Sequence, residues 1–441
     1  MNKILIIGAG AREHILAQRL KTSRTQIYNI GSHINPGIQA LAADIALIPI
    51  TEPRLITEYA QKHQIDLVWI GPEAPLAKGI ADRLWDVNIP VIGPKKALAQ
   101  LETSKGFTRE LQQKYALPGA LKFKFFQSTA GAADFLAELG ADYVIKADGL
   151  MGGKGVKLSG EHLESHQEAL NYAEEILAAG QGFVIEEKLV GAEFSLLCFC
   201  DGKTVSPMPI AHDHKRAFNQ DHGPNTGGMG VYTDANGLLP FISKEDVAEA
   251  LAITEASIKA LQQEVQDQYI GIVYGSFMAT KQGVKLIEFN ARFGDPEVLN
   301  LLTLLETDLG MISAAMLAQK LDQIDIRFQP KASVCKYVVP EGYPDNPLKN
   351  EYLVFDPLPQ DVVCFYASVE EAAKGLKLLG SRALALVALA DTIPQAAEKV
   401  ETAMAKIQGP VFHRSDIGSL SLLNERIKHI NQVAGRGFKL L

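Results

Sequence analysis

Residues 285–299 read KLIEFNARFGDPEVL. The stretch opens as a strand, with Leu286, Ile287 and Phe289 apolar. Strand side chains alternate between faces, so Glu288 and Asn290 point the same way. Carboxylate and amide oxygens suit a hard cation such as Mg2+ or Mn2+, with phosphates completing the shell. Arg292 follows two residues on and shares that side if the strand continues. A divalent cation beside a guanidinium suits phosphoryl chemistry. Gly294, Asp295 and Pro296 then turn the chain into a helix with Glu297 in its first turn. The plain alternative is an edge strand with hydrated polar residues.

The length of 441 residues suggests about three domains. A hydrophobic content of 47% supports well-filled cores, and 21% charged residues is ordinary for a soluble protein. The net charge of −8 argues against nucleic acid as a main partner. Cys198, Cys200, Cys335 and Cys364 form no CxxC pair and read as free thiols. The opening apolar run is too short and glycine-rich for a signal peptide, and no apolar stretch approaches bilayer length. These features predict a cytoplasmic protein with no membrane partner.

The run KILII at 3–7 reads as a buried parallel strand. Gly8 and Gly10 then form a turn into a helix that carries Glu13, where an anion can meet backbone N–H groups. Glu13 stands where a dinucleotide fingerprint needs its third glycine, and Gly31 and Ser32 stand where it needs an acidic residue. A Rossmann-like sheet with a phosphate- or carboxylate-accepting turn is the reading. Strands at 27–30, 66–70 and 90–92 continue the βα alternation, and Gly71, Pro72 and Glu73 lie at a strand's carboxyl end, where ligands bind. The first domain spans 1–102.

A helix is predicted over 103–115, capped by Thr103 or Ser104. Lys105 and Arg109 share one of its faces, read as a solvated basic surface. Residues 143–158, YVIKADGLMGGKGVKL, are strand, loop and strand, and so not a Walker loop. Gly149, Gly152, Gly153 and Gly155 let the backbone close over phosphates, with Lys146 and Lys154 as cations. A helix over 161–179 follows. In IEEKLVGAEFS, Glu186 and Glu187 meet a short Lys188–Gly191 connector whose backbone can offer groups to an adenine edge, and Glu193 can accept from ribose hydroxyls; the plain alternative is a hydrated acidic hairpin. Residues 212–232 read as a long polar loop with Asp213, Lys215, Arg216, Asn225, Thr226, Gly227 and Gly228. Its three histidines lack a catalytic-zinc spacing. Helices are expected over 243–265 and 299–319. Strands at 333–339, 361–366, 382–390 and 410–412, with a helix from Ile393 to Ile407, read as a smaller α+β domain.

The series Lys146, Glu186, Glu193, Glu288 and Asn290 resembles the ATP-grasp superfamily. With DHKR (213–216), GPNTGGMG (223–230) and GPEAPL (71–76), the chain is similar throughout to the phosphoribosylamine–glycine ligase family. The resemblance implies three parts: a Rossmann-like domain at 1–102, an ATP-grasp domain at 103–325 with a flap near 120–190, and an α+β domain at 326–441. It implies an ATP-dependent ligase of purine biosynthesis, joining glycine to 5-phosphoribosylamine through glycyl phosphate. ATP and Mg2+ or Mn2+ are expected, with the metal on Glu288 and Asn290. Lys146, Gly152, Gly153, Lys154 and Gly155 would hold phosphates, Glu186, Glu187 and Leu189 the adenine, and Glu193 the ribose. Arg292, Lys146 and Lys154 would be catalytic. Asp213, Lys215, Asn225, Thr226, Gly227, Gly228 and Asp295 would position glycine and the amine, while Gly8, Gly10, Glu13, Gly71 and Glu73 would receive the ribose phosphate. A monomer is expected, with a weak homodimer as alternative. Ala11 and Ile38 depart from the family pattern on the amine side. They leave open a related carboxylate–amine ligase with a different acceptor.

Overall fold

The computed structural model describes residues 2–152 and 155–441. Lys3–Ile7 is the middle strand of a parallel sheet. Leu67–Ile70 and Val91–Ile92 lie on one side of it, Gln26–Gly31 and Ala42–Leu47 on the other. The strand Ala42–Leu47 was not anticipated. It lies at the sheet edge and has no fully buried residue, so it lacks the apolar run that marks the others.

A second, antiparallel sheet runs in the order Val205–Pro207, Ala192–Asp201, Ile270–Thr280, Gly283–Asn290. One hydrophobic core joins it to the parallel sheet. The flap sheet is built from Phe123–Phe126, Phe183–Glu187, Tyr143–Ala147 and Val156–Leu158. It has its own core, with Phe126, Phe135, Tyr143, Ile145 and Phe183 among its members. Two sheets facing each other across separate cores leave a cleft between them.

The stretch 212–232 is not one loop. His212–Asp213 pairs with Gly230–Thr233, and Arg216–Phe218 with His222–Asn225. Gly230–Thr233 in turn pairs with Ala332–Pro340, which leads on to Leu384–Ala390 and Val362–Tyr366. The polar stretch is thus pinned into the sheet of the last third of the chain, through partners that a local reading cannot see.

The helix expected over 299–319 is two helices, Glu297–Leu304 and Leu309–Ala318, because Asp308 accepts from the Met311 amide and starts a new one. Ser104, not Thr103, caps Lys105–Lys114, accepting from the Phe107 amide at 3.0 Å. The helix expected over 161–179 is His166–Ala178. The strands Tyr352–Phe355, Val369–Ala372 and Gly375–Leu378, and the helix Leu420–Ala434, went unread. No helix among the described residues is long and apolar enough to cross a membrane.

Candidate active site

The Gly283–Asn290 strand pairs antiparallel with Ile270–Thr280, and the register shifts so that Ser276 faces Glu288 while Phe277 faces Leu286. Ile287 is the extra residue of a β-bulge. Leu286 and Phe289 are buried in the core, and Glu288 and Asn290 line the cleft together, as alternation requires. The cleft holds about 630 Å³. A carboxylate and an amide oxygen on one face are donors of the type that suits a hard divalent cation.

Arg292 does continue this surface. It donates to Asn290 Oδ1 at 3.2 Å, to Glu73 Oε2 at 3.2 Å and lies 2.9 Å from Glu102 Oε1. Glu102 also accepts from the Ala291 amide at 2.8 Å. Burial pushes the Glu102 carboxyl above its ordinary range in spite of Arg292. Burial also acts to raise Glu73, but Arg292 and Arg12 hold it below the usual value. Glu73 therefore orients a guanidinium, a contact its sequence position did not suggest.

Lys146 is buried and pairs with Glu186 Oε1, and its Nζ donates to the Ile287 carbonyl at 3.3 Å. Glu186 Oε2 takes Arg109 Nε at 2.8 Å. The Glu186 carboxylate is therefore held by two cations rather than open to an adenine. Glu187 Oε1 accepts from the Lys122 amide at 2.9 Å, and both glutamates still line the cleft with Leu189, Gly152 and Gly155. Gly153 and Lys154 lie outside the described residues. The basic face expected to be solvated is not: Arg109 is 3% exposed, and Lys105 donates to the Gly149 carbonyl at 3.1 Å. The four-residue spacing was visible. The buried carboxylate that receives Arg109 lies 77 residues away.

Glu193 Oε1 takes Lys215 Nζ at 2.5 Å and the Ser276 hydroxyl at 3.0 Å. Burial would raise this carboxyl, but Lys215 holds it down at about 2. Burial pushes Asp213 well above the usual carboxylate range, and among the described residues its Oδ1 has no hydrogen-bond partner. Asp213, Lys215, Asn225, Thr226, Gly227 and Asp295 all line the cleft. Gly228 does not; its carbonyl accepts from Arg382 Nη1 at 3.0 Å. Arg382 also donates to the Gly227 carbonyl at 2.7 Å and to Asp295 Oδ2 at 2.9 Å, and its guanidinium lies over the Tyr337 ring. Tyr337 donates to Asp295 Oδ1 at 2.6 Å. Arg382, which lines the cleft, and Tyr337, which braces it through Asp295, come from the last third of the chain and were given no site role from the sequence.

The glycine turn at the start of the chain accepts an anion of its own. Glu13 Oε2 takes the Gly10 amide at 2.6 Å, and Arg12 Nε meets Oε1 at 2.6 Å. A Cβ at Gly71 would lie 2.0 Å from Glu13 Oε1, and one at Gly8 2.6 Å from its Cδ. These glycines make room for a buried carboxylate. Gly8, Gly10, Glu13 and Gly71 are not among the cleft-lining residues, whereas Arg12 and Glu73 are. Ala11 and Ile38 are fully buried and likewise touch no part of the cleft.

Three family models match the chain: the Phosphoribosylglycinamide synthetase N domain over residues 2–102, its ATP-grasp (A) domain over 103–298 and its C domain over 333–420. The chain is 44% identical over 435 residues to a phosphoribosylamine–glycine ligase of Methanosarcina acetivorans, covering 98% of each. It is 45% identical over 442 residues to that of Methanocaldococcus jannaschii, covering 98% of this chain and 99% of that one. The structure of phosphoribosylamine–glycine ligase from Thermotoga maritima superposes with a TM-score of 0.79 at 24% identity, over 94% of this chain and 100% of that one. The biotin carboxylase domain of Hydrogenobacter thermophilus 2-oxoglutarate carboxylase, solved with MgADP, ADP and bicarbonate, gives 0.72 at 15% identity, over 99% of this chain and 96% of that one. Both likenesses bear on the fold.

Proposed function

The chain belongs to the phosphoribosylglycinamide synthetase family, and from that premise we propose how its residues divide the work. It is an ATP-dependent ligase that joins glycine to 5-phosphoribosylamine in purine biosynthesis. The observation that carries the residue assignments is the convergence of Lys146, Glu288, Asn290 and Arg292 with Asp213, Thr226 and Arg382 on one cleft.

A glycine carboxylate oxygen attacks the γ-phosphorus of ATP, and ADP leaves with the electron pair of the broken bond. The amine nitrogen of 5-phosphoribosylamine then attacks the acyl carbon, the carbon–oxygen bond to phosphate breaks, and the amide forms. Lys146 holds phosphate oxygens from the flap side. Arg292, kept in place by Glu73 and Glu102, meets charge on the transferring phosphoryl group. Glu288 and Asn290 hold Mg2+ or Mn2+, which when bound neutralises phosphate charge. Adenine lies against the connector through Leu189, and Glu193 faces the ribose.

Asp213 Oδ1, an acceptor with no partner among the described residues, receives the glycine ammonium. The amides of Thr226 and Gly227 are already taken within the protein, so these two residues and Asn225 shape the acceptor side rather than grip an anion. Arg12 takes over the part first given to the N-terminal glycines and meets the ribose phosphate. We assign residues 1–102, 103–325 and 326–441 as the working units of a cytoplasmic monomer.

The test is ADP formation by purified protein with ATP, a divalent cation, glycine and freshly made 5-phosphoribosylamine. ADP release should require both substrates. Equal ADP release with an unrelated amine in place of 5-phosphoribosylamine would overturn the acceptor assignment.

A further inference from the structure

The flap and the main body have separate hydrophobic cores, so the grip on a nucleotide between them depends on the polar contacts that cross the gap. Arg109 is central to these. It sits on the helix Lys105–Lys114, whose Leu111 belongs to the main core. From there it reaches Glu186 on the flap sheet at 2.8 Å, and the main-body carbonyls of Leu286 at 3.2 Å and Ile287 at 2.8 Å. Gln112 Oε1 accepts a further N–H at 2.8 Å. Four of the five guanidinium N–H groups are thus bonded to protein groups, and Arg109 also lines the cleft. Glu186, in turn, holds Lys146, whose ammonium shares the Ile287 carbonyl with Arg109.

We propose that Arg109 is a positioning residue for ATP: by satisfying Glu186, it leaves the Lys146 charge available to phosphate and holds the flap at the bulge in the metal-bearing strand. The charge count makes the argument. Two cations around one buried carboxylate leave one net positive charge beside the cleft. Without Arg109, Glu186 and Lys146 would neutralise each other, and phosphate would have to compete with a buried carboxylate for the ammonium. Planar geometry matters too, since only a guanidinium can serve Glu186 and the bulge carbonyls at once. The inference rests on the assignment of Lys146 to ATP phosphates.

The test compares KM for ATP and for glycine in wild type, Arg109→Met, Arg109→Lys, the double variant Arg109→Met with Glu186→Gln, and Lys146→Met. Arg109→Met should raise KM for ATP at least ten-fold while KM for glycine moves less than two-fold. Arg109→Lys should fall between wild type and Arg109→Met. The double variant, which restores the net charge, should recover KM for ATP to within about three-fold of wild type. If Arg109→Met leaves KM for ATP within two-fold, raises both constants equally, or is not relieved by Glu186→Gln, the positioning role is overturned. Lys146→Met separates the two ideas: an unchanged KM for ATP there removes the phosphate assignment itself, whereas a raised KM there with a normal one in Arg109→Met removes only the role of Arg109.

Discussion

Arg292 Nη2 lies 2.9 Å from Glu102 Oε1, joining the segment just past the strand Gly283–Asn290 to the short helix Gln100–Thr103. Both side chains are largely shielded from solvent, and Glu73 braces the same guanidinium from a second direction. Glu102→Gln removes the charge and keeps the shape. An arginine displaced by about 1 Å from a phosphoryl group loses on the order of 10²-fold in rate. We expect kcat to fall on that scale with KM for ATP nearly unchanged. Steady-state kinetics of the folded variant check this.

Glu288 is half-buried and lines the cleft. Glu288→Ala should lower kcat by about 10²-fold or more, the scale of losing a group that stabilises transition-state charge. Its stability should change by no more than a surface substitution does, about 0.5 kcal/mol, as thermal unfolding would show. Chelation of divalent cations should stop wild-type turnover and be reversed by added Mg2+ or Mn2+. Normal turnover in Glu288→Ala would remove the metal from this strand.

Arg382 serves the carbonyls of Gly227, Gly228 and Asp295 together with the Asp295 carboxylate. Burial acts against its charge, but Asp295 outweighs this and raises it. Lysine carries the charge without the fork. Arg382→Lys should therefore raise KM for 5-phosphoribosylamine roughly ten-fold, equivalent to about 1.4 kcal/mol, and leave KM for ATP unchanged. Initial rates with each substrate varied in turn decide between these.

His14 Nδ1 accepts the Tyr366 amide at 3.0 Å, so the ring proton sits on Nε2. Burial lowers its pKa from 6.5 to about 4. Between those values the unfolded chain takes up a proton that the folded one does not, so stability is intact above pH 6.5 and is lost progressively toward pH 4. The shift corresponds to about 3 kcal/mol in all. Denaturation midpoints between pH 7 and pH 4.5 should fall more steeply for wild type than for His14→Gln.

Much of the site was legible because it obeys short-range rules. Glu288 and Asn290 share a face by strand alternation, and Lys146 lies on a strand beside a glycine-rich loop, as expected. Other features depended on distant partners. Nothing near Arg109 announces Glu186, and nothing near Gly227 announces Arg382. The turn Gly8–Gly10 looked like an empty anion cradle because a sequence does not show that Glu13 folds back into it. The stretch 212–232 looked unstructured because its ladder partner, Ala332–Pro340, lies 100 residues on. Short-range chemistry was readable, whereas the charge partners that tune it were not.

The contacts of the last third of the chain have a consequence for synthesis on the ribosome. Asn35 donates to the Tyr366 carbonyl at 2.7 Å, and His33 Nε2 lies 2.9 Å from the carbonyl of Ala367. Gly227 and Gly228 wait in the same way for Arg382. A nascent chain translated as far as Arg292 still lacks the strand that seats the 212–232 stretch and the guanidinium that takes the carbonyls of Gly227 and Gly228. Translation products that end before Arg382 would therefore lack the contacts that fix Gly227 and Gly228.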